Sequence, residues 1–289
     1  MHVLVLRGGA LGDFLVTLPA LALLRQRWPD ARIECVGNRT AAALALHRGL
    51  IDTAHSQHDS RWAALYAPEP LPPGLAAWLE RFDLVLNYWP DPHQELSRHL
   101  PRRPGQTLLR AAAHPVVAPA AAHFCAPLLL PGQAVGDLHY RLRTPAPTPD
   151  RVALHPGSGS SRKNWPADRW RALAHWLQAE RQCGVRVITG EAEPADLLAG
   201  LGIHLRQRPL DEVADELARC RLFIGHDSGI SHLAAAAGAP CLLLFGPTDP
   251  AMWAPPAPGV RVLQRGADLA DLSLAEVQQA VSAALSDPR

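Results

Sequence analysis

Short apolar runs of strand length recur along the chain, and each is followed by a segment whose apolar residues have helical spacing. The runs lie at residues 2–6, 31–36, 83–87, 151–155, 185–189, 221–225, 241–246 and 260–264. Polar and apolar residues do not alternate inside them, which is typical of parallel strands that helices cover on both faces. The pattern therefore predicts an α/β protein made of repeated strand–helix units.

The length of the chain and a break in this pattern indicate two domains. With 289 residues the chain is longer than most single domains, and its 48% content of hydrophobic residues is enough to form two cores. The pattern breaks between residues 101 and 149, which are rich in Pro and Ala. We predict a linker there and a boundary near residue 145, which gives an N-terminal domain of residues 1–145 and a C-terminal domain of residues 146–289.

Charge and cysteine usage exclude several functional classes. The formal net charge is +1, with 28 basic and 27 acidic residues and no Lys/Arg-rich run, so we expect no nucleic-acid partner. The five cysteines are scattered without a C-x-x-C pair, which favours reduced thiols in the core over zinc or redox sites. The first residues resemble a strand more than a signal peptide, and no apolar stretch reaches the ~20 residues that span a bilayer. We therefore expect a cytoplasmic protein without a transmembrane helix.

Lys163 is the only lysine of the chain, and it lies in a Gly/Ser loop, LHPGSGSSRKNWP, between a predicted strand and a predicted helix. An ammonium kept at this one place favours a site in which a planar guanidinium does not fit. Gly157 and Gly159 allow the backbone to approach a ligand, and Ser158 adds a hydroxyl donor. Together with the amides of the following helix, Lys163 suits a diphosphate. The residue order is not that of a Walker A loop, which disfavours ATPase or kinase chemistry.

Two acidic residues follow other predicted strands, and each has two interpretations. Asp13 ends the segment RGGALGD, whose glycine spacing does not match the dinucleotide fingerprint and so disfavours NAD. Asp13 is either a simple helix N-cap or a catalytic base. Glu191 follows the segment VITG and is either an acceptor for ribose hydroxyls or a solvated glutamate at a helix start.

A third loop, GHDSGISHLAAAAGAP, joins a predicted strand to a predicted helix. Ser228 lacks the flanking glycines of a nucleophile elbow, which disfavours a serine hydrolase. His226 lies outside the helical face that Ser228 and His232 share, so we predict no metal site. We expect the amides of Ser228 and Gly229 to meet an anion, with Asp227 and His232 beside it. The alternative is a simple helix cap and a packed histidine.

Taken together, four segments resemble glycosyltransferase family 9, the ADP-heptose:lipopolysaccharide heptosyltransferase family. They are RGGALGD, HPGSGSSRKNWP, GHDSGISHLAAAAGAP and FGPTDP, and the match covers roughly residues 1–36 and 151–256. The resemblance implies a GT-B fold, in which two Rossmann-like domains with parallel sheets face each other across a cleft.

The resemblance also implies an enzyme, an inverting and metal-independent glycosyltransferase. It would move a sugar, heptose from ADP-heptose, onto a lipopolysaccharide-core or other cell-envelope acceptor, a glycolipid or saccharide. Residues 1–145 would bind the acceptor and residues 146–289 the nucleotide-sugar. No cofactor is implied beyond the donor substrate, and a peripheral contact with the inner face of the cytoplasmic membrane is expected. The alternatives are a non-catalytic nucleotide-binding GT-B protein and another GT-B enzyme such as a nucleotide-sugar epimerase.

By position, the resemblance assigns roles to individual residues. Asp13 matches the family's proposed base, Lys163 its phosphate-contacting lysine and Glu191 its ribose-binding acid. The C-terminal nucleotide-site motif is matched by Asp227, Ser228, Gly229 and His232. We therefore predict two catalytic residues, Asp13 and Lys163. The predicted donor-binding residues are Ser158, Gly159, Lys163, Glu191, Asp227, Ser228, Gly229 and His232.

Overall fold

The computed structural model describes residues 1–134, 136–190, 193 and 197–286. The chain divides into two compact units, Met1–Tyr140 and Arg141–Arg289. Each unit has its own parallel sheet and its own hydrophobic core. The predicted α/β class is therefore confirmed, while the roles expected of the two domains stay predictions.

The described residues of the N-terminal unit form a five-stranded parallel sheet in the order β3-β2-β1-β4-β5. The strands are β1 (His2–Arg7), β2 (Arg32–Gly37), β3 (Thr53–Ser56), β4 (Leu84–Asn87) and β5 (Thr107–Arg110). The helices are α1 (Leu11–Leu15), α2 (Leu18–Arg27), α3 (Arg39–His47), α4 (Pro73–Glu80) and α5 (Ala120–Cys125). The chain winds from β1 outward to β3 and then returns to the other side of β1, so the strand order reverses between β1 and β4.

In the C-terminal unit the described residues form a six-stranded parallel sheet in the order β11-β10-β9-β6-β7-β8. The strands are β6 (Thr148–His155), β7 (Gly184–Thr189), β8 (Ile203–Arg206), β9 (Cys220–His226), β10 (Cys241–Phe245) and β11 (Val260–Gln264). The helices are α6 (Ala167–Ala179), α7 (Leu210–Ala218), α8 (Gly229–Ala236), α9 (Pro250–Trp253) and α10 (Leu274–Ser286). Across the described part of the chain, no helix has the length and apolar character needed to cross a membrane.

Sequence pattern and burial agree in the elements that form the two cores. Residues 3–6 of β1 are fully buried, as their unbroken apolar run predicts for a central strand. The buried residues of α6 are Trp170, Leu173, Ala174 and Leu177. Their spacing of three and four residues places them on one face of the helix. Trp165 is buried in the same core, so the loop before α6 is anchored at its C-terminal end.

The structure contains three strands that the apolar runs do not predict, β3, β5 and β8. All three lie at an edge of their sheet. An edge strand has one neighbour and stays partly exposed, so it needs fewer apolar residues than a central strand. The strand β5 and the helix α5 also lie inside segment 101–149, where we predicted a linker. That prediction is wrong because Ala120 and Phe124 of α5 are buried in the N-terminal unit.

Glu34 on β2 is a buried carboxylate, with 2% of its side chain exposed. The ring Nε2 of His2 lies 2.9 Å from one carboxylate oxygen, and that of His55 lies 2.7 Å from the other. Burial alone raises the pKa of Glu34, but the hydrogen bonds from His55 and His2 outweigh it and hold the pKa below its usual value. Folding therefore favours the ionised carboxylate.

The substitution Glu34→Gln is expected to destabilise the protein by about 2–3 kcal/mol at neutral pH, because it weakens two charge-assisted hydrogen bonds in a buried place. A carboxyl whose pKa is lowered by folding contributes stability above its unfolded-state pKa. This contribution is lost as the pH falls through the folded-state pKa. The difference in unfolding free energy between wild type and variant should therefore shrink below pH 4.5. Urea denaturation at a series of pH values measures it.

Glu80→Gln is the control for this experiment. Glu80 is exposed and lies 3.7 Å from Arg102, and exposed ion pairs contribute little to stability. Equal losses of unfolding free energy in Glu34→Gln and Glu80→Gln would contradict the role given to Glu34. The same holds if the difference in unfolding free energy between wild type and Glu34→Gln does not shrink in acid.

The five cysteines are buried thiols, in agreement with the sequence analysis. Burial raises the pKa of Cys35, Cys125 and Cys220 to about 12. These three thiols therefore stay protonated at neutral pH, and protonated thiols are poor nucleophiles. We assign them to packing in the core.

Candidate active site

The loops that follow β6 and β9 meet at the carboxyl edge of the C-terminal sheet. The two strands are adjacent, with His155 in register with Gly225. From β6 the chain winds outward through β7 and β8, and it then returns to β9 before it continues to β10 and β11. The strand order reverses between β6 and β9, and open α/β sheets bind ligands at such a switch point.

Lys163 and Asp227 form an ion pair at this switch point. The Lys163 ammonium donates to Asp227 Oδ2 at 2.7 Å, although 64 residues separate the two in sequence. The side chains are 30% and 10% exposed, so the ammonium is the more accessible partner. The structure therefore brings together the residue predicted to contact phosphate and an acid of the predicted nucleotide-site motif.

Hydrogen bonds within the loop hold the backbone on the N-terminal side of Lys163. The Lys163 amide N–H donates to the Ser160 carbonyl at 2.9 Å and closes one turn of 3-10 helix. Ser158 Oγ lies 2.7 Å from the same carbonyl and 2.6 Å from Asn164 Oδ1. Gly159 is exposed, and a Cβ added to it would meet open space. Ser158 thus orders the loop, while Gly159 leaves its outer side open.

His226 anchors the same loop and was not among the predicted site residues. Its side chain is fully buried at the end of β9. Its Nε2 accepts a hydrogen bond from the Trp165 amide N–H at 2.9 Å, so the ring proton lies on Nδ1 and is donated to the Gly157 carbonyl at 3.2 Å. Burial lowers the pKa of His226 to about 3, and the neighbouring His155 adds to this effect. The ring is therefore neutral, and both of its nitrogens are used to fix the loop.

Glu193 is a further residue of this edge that the sequence analysis did not single out. Its carboxylate is buried, and Oε2 accepts a hydrogen bond from the Gly190 amide N–H at 2.5 Å. A Cβ on Gly157 would overlap the Glu193 carboxylate, so any other residue there would displace the Glu193 side chain. Burial lowers the pKa of His155, and the charge of Glu193 acts in the opposite direction. Glu191, which we predicted as the ribose-binding acid, lies outside the described residues.

The start of α8 supplies backbone N–H groups at the same edge. Ser228 is the N-cap residue, and its side chain accepts a hydrogen bond from the Ser231 amide N–H at 3.3 Å. Gly229 is the first residue of the helix, whose first amides have no acceptor within the helix and suit an anion. His232 lies in the first turn and is partly buried. No cluster of His, Cys, Asp and Glu that could hold a metal ion occurs among residues 1–134, 136–190, 193 and 197–286.

Asp13 lies in the N-terminal unit, just after β1. It is the third residue of α1, and its Oδ2 accepts a hydrogen bond from the Ala10 amide N–H at 2.8 Å. Ala10, and not Asp13, occupies the N-cap position, so the simple N-cap interpretation is wrong. The other carboxylate oxygen lies 3.6 Å from the guanidinium of buried Arg7. Burial lowers the pKa of Arg7, which the negative charge of Asp13 counteracts. The Asp13 side chain is 42% exposed and accessible to a substrate.

Comparison with known proteins gives a match to one family over most of the C-terminal unit. The model of glycosyltransferase family 9 (heptosyltransferase) matches residues 137–273, which include Lys163, Glu193 and Asp227. Lipopolysaccharide heptosyltransferase 1 of Pseudomonas aeruginosa is 40% identical over 108 residues, which cover 35% of this chain and 30% of that protein. The aligned part is therefore less than one third of the curated relative.

Solved structures extend the likeness to almost the whole chain. The family 9 glycosyltransferase of Veillonella parvula has a TM-score of 0.77 and 20% identity, over 98% of this chain and 97% of that one. E. coli heptosyltransferase WaaC with ADP has a TM-score of 0.73 and 20% identity, over 98% and 100%. At such identities the likeness establishes the fold alone, and the predicted GT-B fold is confirmed. Residues 137–273 of this chain match the model of glycosyltransferase family 9, in agreement with the resemblance drawn from the motifs.

Proposed function

We propose that this chain is a glycosyltransferase that moves heptose from ADP-heptose onto a lipopolysaccharide-core or other cell-envelope acceptor. The observation that carries the proposal is the Lys163–Asp227 ion pair at the switch point of the C-terminal sheet. The family match of residues 137–273 and the structural likeness to a heptosyltransferase described with ADP support it. The proposal places the donor on the C-terminal unit and the acceptor on the N-terminal unit.

Lys163 is the residue that we assign to the departing diphosphate. An ammonium has three N–H donors, and Asp227 accepts one of them, which leaves two that suit phosphate oxygens. The first amides of α8, beginning at Gly229, add donors at the same edge. Negative charge builds on the diphosphate as its bond to the sugar breaks. A fixed ammonium and aligned amides stabilise that charge, so the proposal requires no metal ion.

Asp13 is the residue that we assign to the acceptor. A hydroxyl of the acceptor gives its proton to the Asp13 carboxylate while its oxygen forms a bond to the anomeric carbon of the donor sugar. The bond from that carbon to the diphosphate breaks, and its electron pair leaves with ADP. Attack from the face opposite the leaving group inverts the anomeric configuration.

Glu193 is the described carboxylate best placed to bind the ribose of the donor. It lies against the lysine loop at Gly157 and against Gly190 at the end of β7. Each carboxylate oxygen accepts more than one hydrogen bond, so the bond from Gly190 leaves capacity for a ribose hydroxyl. The role of Glu191 stays a prediction.

The acceptor also determines where the enzyme works. A lipopolysaccharide core is assembled on a lipid, so its sugars lie close to a membrane surface. The proposal therefore includes a cytoplasmic location and a peripheral contact with the inner face of the cytoplasmic membrane. Co-sedimentation of the protein with vesicles that contain the acceptor lipid would measure this contact.

The site is tested by calorimetric titration of the protein with ADP, UDP and GDP, each with and without EDTA. We expect selective binding of ADP that EDTA does not change. Lys163→Ala should weaken it by about 10- to 100-fold, the value of a lost charge-assisted hydrogen bond. Lys163→Arg should restore binding only in part, because a planar guanidinium replaces a compact ammonium.

Arg162→Ala is the matched control, because Arg162 is an exposed cation in the same turn. It should leave ADP binding within about twofold of wild type, as expected of a screened surface charge. Absence of binding to any of the three nucleotides would overturn the proposed function. If Lys163→Ala and Arg162→Ala lose the same affinity for ADP, the effect is a general one of positive charge and not that of a site at Lys163.

A further inference from the structure

Residues 96–136 of the N-terminal unit form a stretch without any acidic residue. Glu95 and Asp137 border it, and neither aspartate nor glutamate lies between them, although the chain has 27 acidic residues among 289. The stretch also contains the arginines Arg98, Arg102, Arg103 and Arg110. Its formal charge is therefore positive, in a chain whose net charge is only +1. A surface formed by this stretch attracts anions.

Two of these arginines carry charges that no described acid balances. Arg102 and Arg103 form ion pairs with acids outside the stretch. Arg98 and Arg110 are exposed, and within the described part of the chain neither of them forms an ion pair. The Arg110 guanidinium donates to Ser97 Oγ at 3.1 Å, so the two exposed arginines lie on neighbouring segments. We call Arg98 and Arg110 the basic flank.

Two adjacent valines lie exposed in the loop that follows β5. Val116 is 75% exposed and Val117 is 54% exposed. Single exposed apolar side chains are common, whereas adjacent ones mark an interaction site. Pro115 and Pro119 flank the valines and restrict the backbone, so little conformational entropy is lost on binding. Arg110 precedes Val116 by six residues, which limits their Cα separation to about 20 Å. We call Val116 and Val117 the valine tip.

The loop is anchored on both sides of the valine tip. Before the tip, the Ala111 amide N–H donates to the Asn87 carbonyl at 3.2 Å, and His123 Nε2 lies 2.9 Å from the Ala112 carbonyl. After the tip the chain enters α5, of which five residues are buried. The valines are therefore exposed in a loop that is fixed to the core at both ends.

This loop lies at the carboxyl edge of the N-terminal sheet, the edge that also carries Asp13. The strand β5 ends at Arg110, and the parallel strands beside it end at the same edge. Buried Arg7 donates from Nε to the Asp13 carbonyl at 2.7 Å and from Nη1 to the Ala113 carbonyl at 3.4 Å. Val116 follows Ala113 by three residues, so their Cα atoms are at most about 11 Å apart. The valine tip and the proposed base are therefore close to each other.

A bilayer with anionic headgroups matches this surface better than a protein partner does. A stable protein interface buries about 800 Å² on each side, far more than two valines supply. A membrane interface needs no complementary shape, because each apolar side chain that enters it is stabilised by itself. Exposed arginines add attraction to anionic lipids, and apolar and basic contacts together give the stable binding that either alone does not.

We infer that the valine tip enters the interface of an anionic lipid membrane and that the basic flank contacts its phosphate headgroups. The inference rests on the proposed function in so far as a lipid-linked acceptor gives the contact its purpose, and it names the surface that forms the contact. The phospholipid itself is the partner, so binding requires neither donor nor acceptor. In the bound state Asp13 lies near the membrane surface, where such an acceptor is held.

Co-sedimentation of the full chain with vesicles tests this inference. The probes are vesicles of phosphatidylcholine alone and of phosphatidylcholine mixed with anionic phosphatidylglycerol, both without glycolipid. We expect the protein to bind the mixed vesicles, to bind them less at high salt, and to bind the neutral vesicles at least about tenfold more weakly.

Two double variants separate the apolar from the basic contribution. Val116→Ser with Val117→Ser should weaken binding to the mixed vesicles by about 10- to 100-fold, because two apolar side chains no longer leave water. Arg98→Gln with Arg110→Gln should weaken it by about 10- to 30-fold and leave binding to neutral vesicles unchanged.

Leu46→Ser with Arg48→Gln is the matched control. Both residues are exposed, and they lie at the end of α3, which runs back from the carboxyl edge of the N-terminal sheet to its opposite edge. This variant removes one apolar side chain and one cation from the same unit. It should bind the mixed vesicles within about twofold of wild type, as expected of a screened charge away from the contact.

Each other outcome would overturn the inference. Equal binding of wild type and the valine variant, or equal binding to the two kinds of vesicle, would exclude the surface as an anionic membrane contact. Light scattering without lipid tests for a protein partner in place of the membrane. A wild-type assembly of several copies that the valine variant separates into single chains would show that a second copy covers the valine tip.

Titration of the same samples with ADP separates this inference from the proposed function. If ADP binds and the mixed vesicles do not, the membrane surface fails and the transferase assignment stands. If the mixed vesicles bind and ADP does not, the membrane surface stands and the transferase assignment fails.

Discussion

Asp13→Asn is expected to reduce the rate of sugar transfer by about 10²–10⁴, the usual contribution of a general base. The amide has the shape of the carboxylate, and its oxygen can still accept the hydrogen bond from the Ala10 amide. It cannot accept the proton of an acceptor hydroxyl. Binding of ADP should not change, because we assign the nucleotide to residues of the C-terminal unit. Turnover of ADP-heptose with an acceptor measures the rate, and calorimetry measures the binding.

A lower transfer rate of Asp13→Asn can come from the missing general base or from a destabilised fold, and the two causes must be separated. Asp13 lies in the first turn of a short helix, accepts a hydrogen bond from the Ala10 amide and lies beside the guanidinium of Arg7, so its neutralisation also affects local stability. The melting temperature of Asp13→Asn reports on that effect. Asp30→Asn, which neutralises an exposed carboxylate of the same unit, is the control for charge. Transfer by Asp13→Asn at more than about a tenth of the wild-type rate would exclude the role of general base.

The central strands of both sheets could be predicted from the sequence because burial on two faces demands continuous apolar runs. The fully buried segment of β1 and the buried face of α6 follow directly from their patterns. The edge strands β3, β5 and β8 could not be predicted in this way, whereas the edge strand β11 follows the apolar run 260–264. In β3 and β8 every residue is partly exposed or exposed, and a short mixed segment does not differ from a loop in sequence.

Lys163 could be predicted as a site residue because it is the only lysine of the chain and lies in a Gly/Ser loop. Its partner Asp227 was recognised as part of a motif, but the ion pair between them depends on the adjacency of β6 and β9. The role of His226 was not predictable, because it depends on contacts to Trp165 and Gly157, 61 and 69 residues away. A histidine directly after the apolar run 221–225 was the available signal. It indicates burial, and a buried histidine needs partners for both ring nitrogens.

Acid should destabilise the C-terminal unit through His226, and this is the second large effect that we expect. Folding lowers the pKa of His226 from 6.5 to about 3 because the ring is buried. The unfolded chain therefore binds a proton that the folded chain does not, and stability is lost as the pH falls from 6.5 towards 3. One proton corresponds to ~1.4 kcal/mol per pH unit, so the loss over this range is on the order of 4 kcal/mol.

His226→Gln isolates this effect, because an amide can donate to the Gly157 carbonyl and accept from the Trp165 amide without titrating. At neutral pH the variant should be less stable than wild type, since the amide packs less well in the ring's place beside Trp170. As the pH falls below 6.5 the difference in stability between wild type and variant should shrink and then reverse.

His175→Gln, at an exposed position of α6, is the control and should keep the acid dependence of wild type. If His226→Gln loses stability in acid as steeply as wild type does, His226 is not the group that takes up the proton, and buried His155 becomes the next to be replaced.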